Sequence, residues 1–91
     1  MYMDNNNTVK LYDIQDERDE LMMYAELSGD ETGEFCHTLL HAADYSYHMS
    51  DEFKVYLAKE IRYQLKMFKE NTRIVETEGT YTQKFRVLEW I

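Results

Sequence analysis

Asp13-Ile14-Gln15-Asp16-Glu17-Arg18-Asp19-Glu20-Leu21-Met22-Met23-Tyr24-Ala25-Glu26-Leu27 admits two readings, and they lead to different folds. As a helix, Asp13 is the N-cap, acids fill the first turns and Ser28-Gly29 ends the element. Ile14, Leu21, Met22 and Ala25 then share one face. As a hairpin, Asp16-Glu17-Arg18-Asp19 is the turn, and Leu21, Met23, Ala25 and Leu27 alternate to one side. Leu, Met, Ala and Glu favour helices and no β-branched residue follows Ile14, so the helical reading is preferred.

Downstream, a second helix is expected over about Gly33 to Tyr47, with Phe35, Leu39, Leu40, Ala43 and Tyr47 on its apolar face. Ser50 is a good N-cap for the clearest element, Asp51 to Glu70. There Phe53, Leu57, Ile61, Leu65 and Phe68 recur at helical spacing, and Lys66 and Lys69 fall where the helix dipole favours cations. Arg73 to Thr77 reads as a strand, Glu78-Gly79 as a tight turn and Thr80 to Ile91 as a long partner strand. That last strand is apolar on both sides near its end, which fits a central strand or an interface. Upstream, Thr8 to Tyr12 alternates as a short strand, and residues 1–7 form a flexible polar tip. The expected fold is α+β: one domain over 1–91, with a small antiparallel sheet from the chain ends packed by two to three helices.

Ninety-one residues allow one modest core. The N-terminus lacks the basic and apolar regions of a signal peptide, and no apolar run reaches the roughly 20 residues of a membrane span. A single cysteine, Cys36, excludes an internal disulfide, so a cytoplasmic location is the default.

Charge is divided along the chain. Residues 1–53 hold 13 acidic and 2 basic side chains, and residues 54–91 hold 5 and 8. With a net charge of −8, direct binding to nucleic acid is not expected, because phosphates would be repelled. The acid is aimed instead at a basic protein partner. On a helix, Asp13, Asp16, Glu17 and Glu20 lie along one side, about 5–6 Å between neighbours, near the phosphate spacing of a nucleic-acid strand. Asp30, Glu31 and Glu34 extend the field, together with Glu26. These seven carboxylates apart from Glu26 form the expected partner-binding set, with Tyr24 and Tyr45 as aromatic anchors. The competing reading is a solvated helix face whose acids answer the helix dipole.

His37, His41, Asp44 and His48 form a line on the second helix, and a His-x-x-x-His pair can chelate a metal. No third ligand is fixed by the spacing and there is no His-Glu-x-x-His motif, so no metal and no cofactor is expected. Cys36 adjoins His37, but adjacent helical residues diverge by about 100°, which does not make a catalytic dyad. There is no Gly-rich phosphate loop and no Gly-x-Ser-x-Gly, and the chain is not expected to be an enzyme.

In size, acidity and lack of catalytic motifs, and over Asp16-Glu17-Arg18-Asp19-Glu20-Leu21 and Gly33-Glu34-Phe35-Cys36-His37-Thr38-Leu39-Leu40, the chain resembles small acidic anti-defence proteins of phages and mobile elements. These are the anti-CRISPR and DNA-mimicking antirestriction proteins. The resemblance implies a stoichiometric inhibitor that blocks a basic nucleic-acid-binding surface, such as that of a Cas effector. The alternative is a small homodimeric structural or regulatory protein, built on the Asp51–Glu70 helix or the last strand, whose acid only maintains solubility.

Overall fold

The structure, a computed structural model, describes residues 10–79 and 84–91. Its elements in order are a 3-10 turn at Leu11–Ile14, α1 at Gln15–Ser28, α2 at Glu31–Asp44, a 3-10 turn at Ser46–His48, α3 at Asp51–Asn71, β1 at Thr72–Glu78 and β2 at Lys84–Trp90. The fold is α+β, with three helices and a two-stranded antiparallel sheet among the described residues. No described helix is long and apolar enough to cross a membrane. The expected tip at residues 1–7, Thr8-Val9 of the expected first strand and Thr80 to Gln83 of the last lie outside the described residues.

The helical reading of the opening stretch holds, but its start differs. Leu11 and Tyr12 do not extend as a strand; they enter the first 3-10 turn. In that turn residues three apart eclipse one another, so Leu11 and Ile14 both reach the core, whereas on a strand they would face opposite ways. Asp13 is therefore not the N-cap of α1. Its carboxylate accepts the Lys10 backbone N–H at 3.3 Å, closing the 3-10 turn. α1 ends at Gly29, whose φ of 64° is a left-handed conformation that suits glycine.

Asp30 then caps α2, accepting the Gly33 N–H at 3.1 Å, so this helix begins two residues earlier than expected. A Cβ at Gly33 would stand 2.7 Å from the Ala25 carbonyl, so the crossing of α1 and α2 has no room for a side chain there. The buried face of α2 is Cys36, Leu39, Leu40 and Ala43. Phe35 and Tyr47, placed on that face by the sequence pattern, are exposed. Phe35 stands about 100° from Cys36, and the helix ends before Tyr47 is reached. Ser46 is buried instead, its hydroxyl donating to the Ala43 carbonyl at 2.7 Å.

Ser50 caps α3 as expected, accepting the Phe53 N–H at 3.2 Å. Leu57, Ala58, Ile61, Leu65 and Phe68 are buried along it, while Phe53 is part exposed. The helix passes directly into β1, and the Thr72 hydroxyl donates to the Phe68 carbonyl at 2.6 Å. β1 and β2 pair with Thr72 opposite Trp90, Ile74 opposite Leu88 and Val75 opposite Val87. Facing residues share a side of the sheet, so Thr72, Ile74, Leu88 and Trp90 face the helices. Val75, Val87, Thr77 and Phe85 face outward, beside an Arg73–Glu89 ion pair at 3.0 Å. With two described strands β2 is not central, which leaves its outer face bare.

α1, α3 and the sheet converge on Phe68. Its ring stacks on Tyr24 of α1 at 5.1 Å and meets Trp90 of β2 at 5.6 Å. Phe68→Ala should cost about 3–5 kcal/mol of unfolding free energy in urea titrations, the range for deleting a buried ring. It should also release the hairpin, seen as loss of the Trp90 near-ultraviolet signal before loss of helicity.

Candidate functional site

The carboxylates expected along one stripe of α1 divide into two groups with different surroundings. Glu17 pairs with Arg62 at 3.7 Å and Glu20 with Lys69 at 3.3 Å, both across the α1–α3 contact. These two acids tie helices together within the chain. Asp13 is engaged by the Lys10 N–H. Asp16, on the first turn of α1, is exposed and has no hydrogen bond or ion pair among the described residues. Arg18, among these acids, pairs with Asp44 and so fastens α1 to the end of α2.

The second group lies at the opposite end of α1, roughly 20 Å away at 1.5 Å per residue. Asp30, Glu31 and Glu34 come together at the α1–α2 turn, and Glu26 joins them from the last turn of α1. With Ala25, Gly29 and His37 they line an open recess of about 490 Å³. None of these four carboxylates takes part in an ion pair among the described residues, unlike Glu17, Glu20 and Asp44. Glu26 lay outside the expected contact set. The Ser28-Gly29-Asp30 turn signal could have found it, since a tight reversal must fold the end of α1 beside the start of α2.

The aromatic anchors also separate. Tyr24 is only 8 % exposed and stacked on Phe68, so it is a core residue and offers no surface to a partner. Its i, i+3 relation to Leu21 on the buried side of α1 is the physical reason. Tyr45 is exposed, but it follows the last turn of α2, at the far end from Glu31 and Glu34.

His37 is half-buried beside the acidic recess, and His41 and His48 are exposed. No group of three or more His, Cys, Asp or Glu side chains arranged to hold a metal ion occurs among the described residues. Cys36 is fully buried, with its sulfur 4.0 Å from Gln64 Oε1. Burial, reinforced by the charges of Asp30 and Glu60, pushes its thiol up to about 11. At neutral pH it is a neutral packing group rather than a nucleophile. A thiol reagent such as dithionitrobenzoate should leave Cys36 unmodified in the native protein at pH 7.5 and titrate it fully in denaturant.

Asp30 is held below the usual carboxylate range, chiefly by the hydrogen bond from the Ser28 hydroxyl and then by the Gly33 N–H. A depressed value means that the folded chain favours the charged form. This contribution is complete above the ordinary aspartate value of 3.8 and disappears as pH falls through the lower folded-state value. Asp30→Asn keeps a capping side chain but removes the titration. It should lower stability at pH 7 and flatten the acid limb of a stability-versus-pH curve, the two proteins converging once pH falls below the folded-state value.

The chain matches no protein-family model, no curated protein and no solved structure.

Proposed function

We propose that this chain is a non-enzymatic inhibitor that docks an acidic surface onto a basic, nucleic-acid-binding face of a partner protein. A Cas effector or another nucleic-acid-directed defence protein, met in the cytoplasm, is the class of target. One observation carries the reading: Glu26, Asp30, Glu31 and Glu34 are clustered at one end of the molecule and left without internal cations among the described residues. Like charges gathered in this way raise the local negative potential and repel one another, a cost that a complementary basic surface removes.

The docking surface is small. Glu31 and Glu34 are one turn apart and Asp30 and Glu34 likewise, about 5–6 Å between neighbours. The set spans a few phosphates' worth of backbone rather than a duplex. Asp30 has a second duty as the α2 cap, so Glu26, Glu31 and Glu34 are the side chains free to meet lysines and arginines. Glu17 and Glu20 contribute to the field at longer range while bound to Arg62 and Lys69.

The test is competition: the chain is titrated into Cas effectors holding a labelled guide or duplex, and displacement is followed by gel shift. Inhibition should weaken steeply as salt is raised. Glu26→Lys/Glu31→Lys/Glu34→Lys should lose at least about tenfold in potency, about 1.4 kcal/mol, without changing the melting temperature. Equal potency of this triple variant at low salt would refute the reading.

A further inference from the structure

α3 carries two apolar stripes. Leu57, Ile61, Leu65 and Phe68 are buried in the core. Phe53, Tyr56, Glu60, Tyr63 and Met67 form a second line, at alternating steps of three and four residues. At 100° per residue the two lines are centred about 115° apart, so the core does not account for the second. Its four large apolar members are between 38 % and 58 % exposed.

α2 borders this line, as the approach of Cys36 to Gln64 shows. The Arg18–Asp44 pair holds α1 against the other side of α2. Phe35, 49 % exposed, therefore falls on the α3 side and continues the same surface. A lone exposed aromatic is ordinary, but five large apolar side chains on one face are not.

We propose that a second copy of this chain covers this face, with the two α3 helices packed antiparallel. The alternating three-and-four spacing is that of a coiled-coil seam. The antiparallel register sets Tyr56 against Met67 of the partner subunit and Glu60 against Tyr63 of the partner subunit. The first is a sulfur–aromatic contact, and the second lets a phenol donate to a carboxylate, each made twice by the twofold axis. A parallel in-register pair would instead set Glu60 against Glu60 of the partner subunit, so the sequence disfavours it. The area is adequate. At roughly 200 Å² for each fully accessible side chain, the exposed fractions leave about 500 Å² of apolar surface per copy. Burying it on both copies gives about 1,000 Å² before any polar rim, where specific interfaces begin.

Phe35, at the edge of this face, lies one turn from Glu31 and next to Glu34, so dimerisation and docking to a basic partner are told apart through Tyr56 and Met67 on α3 and Glu26 on α1. They also differ in sign with salt. Each copy carries a net charge of −8, so screening favours association of like copies and weakens acidic docking.

The experiment is sedimentation equilibrium of the whole chain up to about 200 µM, since mass action sets the dimer fraction. It is run at about 0.05 M and about 0.5 M salt, spanning weak to strong screening. The expected result is a dimer that tightens at the higher salt. Tyr56→Glu/Met67→Glu should weaken association at least about tenfold, about 1.4 kcal/mol, with helicity retained and the melting temperature of the dilute monomer unchanged; if that pair disturbs folding, Tyr56→Ser carries the same test. Glu26→Lys, on α1, should leave the dimer intact, and Phe85→Glu on the hairpin should do so as well. A wild-type monomer at both salts would overturn the proposal. So would a dimer that the α3 variants leave unchanged or that Phe85→Glu dissolves.

Discussion

The ring of Phe68 is the constraint on which the rest of the structure depends. It lies between Tyr24 of α1 and Trp90 of β2, and its own helix runs straight into β1. A two-stranded hairpin alone is marginal in water and needs packing to persist. Here that packing is supplied by Phe68 together with Ile74 and Leu88 against the helical core. The same ring fixes the rotation of α1, because Tyr24 meets it nearly face to face. Once α1 is rotated so, Glu17 and Glu20 face α3 and the two helices are tied by charge as well as by apolar contact.

This rotation explains how the carboxylates divide their work. Acids near the α1–α3 seam meet Arg62 and Lys69, and those pairs are part exposed, where an ion pair contributes little. They follow the rotation that the Tyr24–Phe68 stack sets and cancel charge along the seam. Acids at the α1–α2 turn meet no such cations among the described residues. A sequence that looks divided into an acidic half and a basic half thus folds so that part of the division is cancelled internally. What remains uncancelled is concentrated at one end.

Elements with strong local signals were legible in the sequence. The cap at Ser50 and the regular spacing of Leu57, Ile61, Leu65 and Phe68 locate α3 to within a residue or two. The antiparallel strands follow from alternation, but the tight turn expected at Glu78-Gly79 is not there: Glu78 is the last residue of β1 and pairs with Lys84, a register that a two-residue turn at 78–79 would not allow. Where two signals compete, local pattern alone was insufficient. Leu11-Tyr12 alternates like a strand, but the spacing of Leu11 and Ile14 and the Asp13 carboxylate favour a 3-10 turn. Phe35 outranks Cys36 in hydrophobicity, yet Cys36 is three, four and seven residues from Leu39, Leu40 and Ala43, so the turn that buries those buries the cysteine and leaves Phe35 outside. For the site, periodicity could line up Asp13, Asp16, Glu17 and Glu20, but it could not reveal that Arg62 and Lys69, some fifty residues on, would reach two of them. Tyr24 was misread for a related reason: whether a tyrosine is an anchor or a core ring depends on what stands opposite, and its partner is 44 residues away.

The stacking of Tyr24 on Phe68 also bears on the order in which the molecule can assemble. α1 is made before α3, and both its aromatic partner and its two cations lie on α3. While the ribosome is still adding α3, α1 has only α2 to shelter its apolar side, and its acids have nothing to answer them. Closure must wait until Phe68 and Lys69 have left the exit tunnel. Until then α1 and α2 are an acidic helical pair without the ring and the two cations that complete the packing of α1.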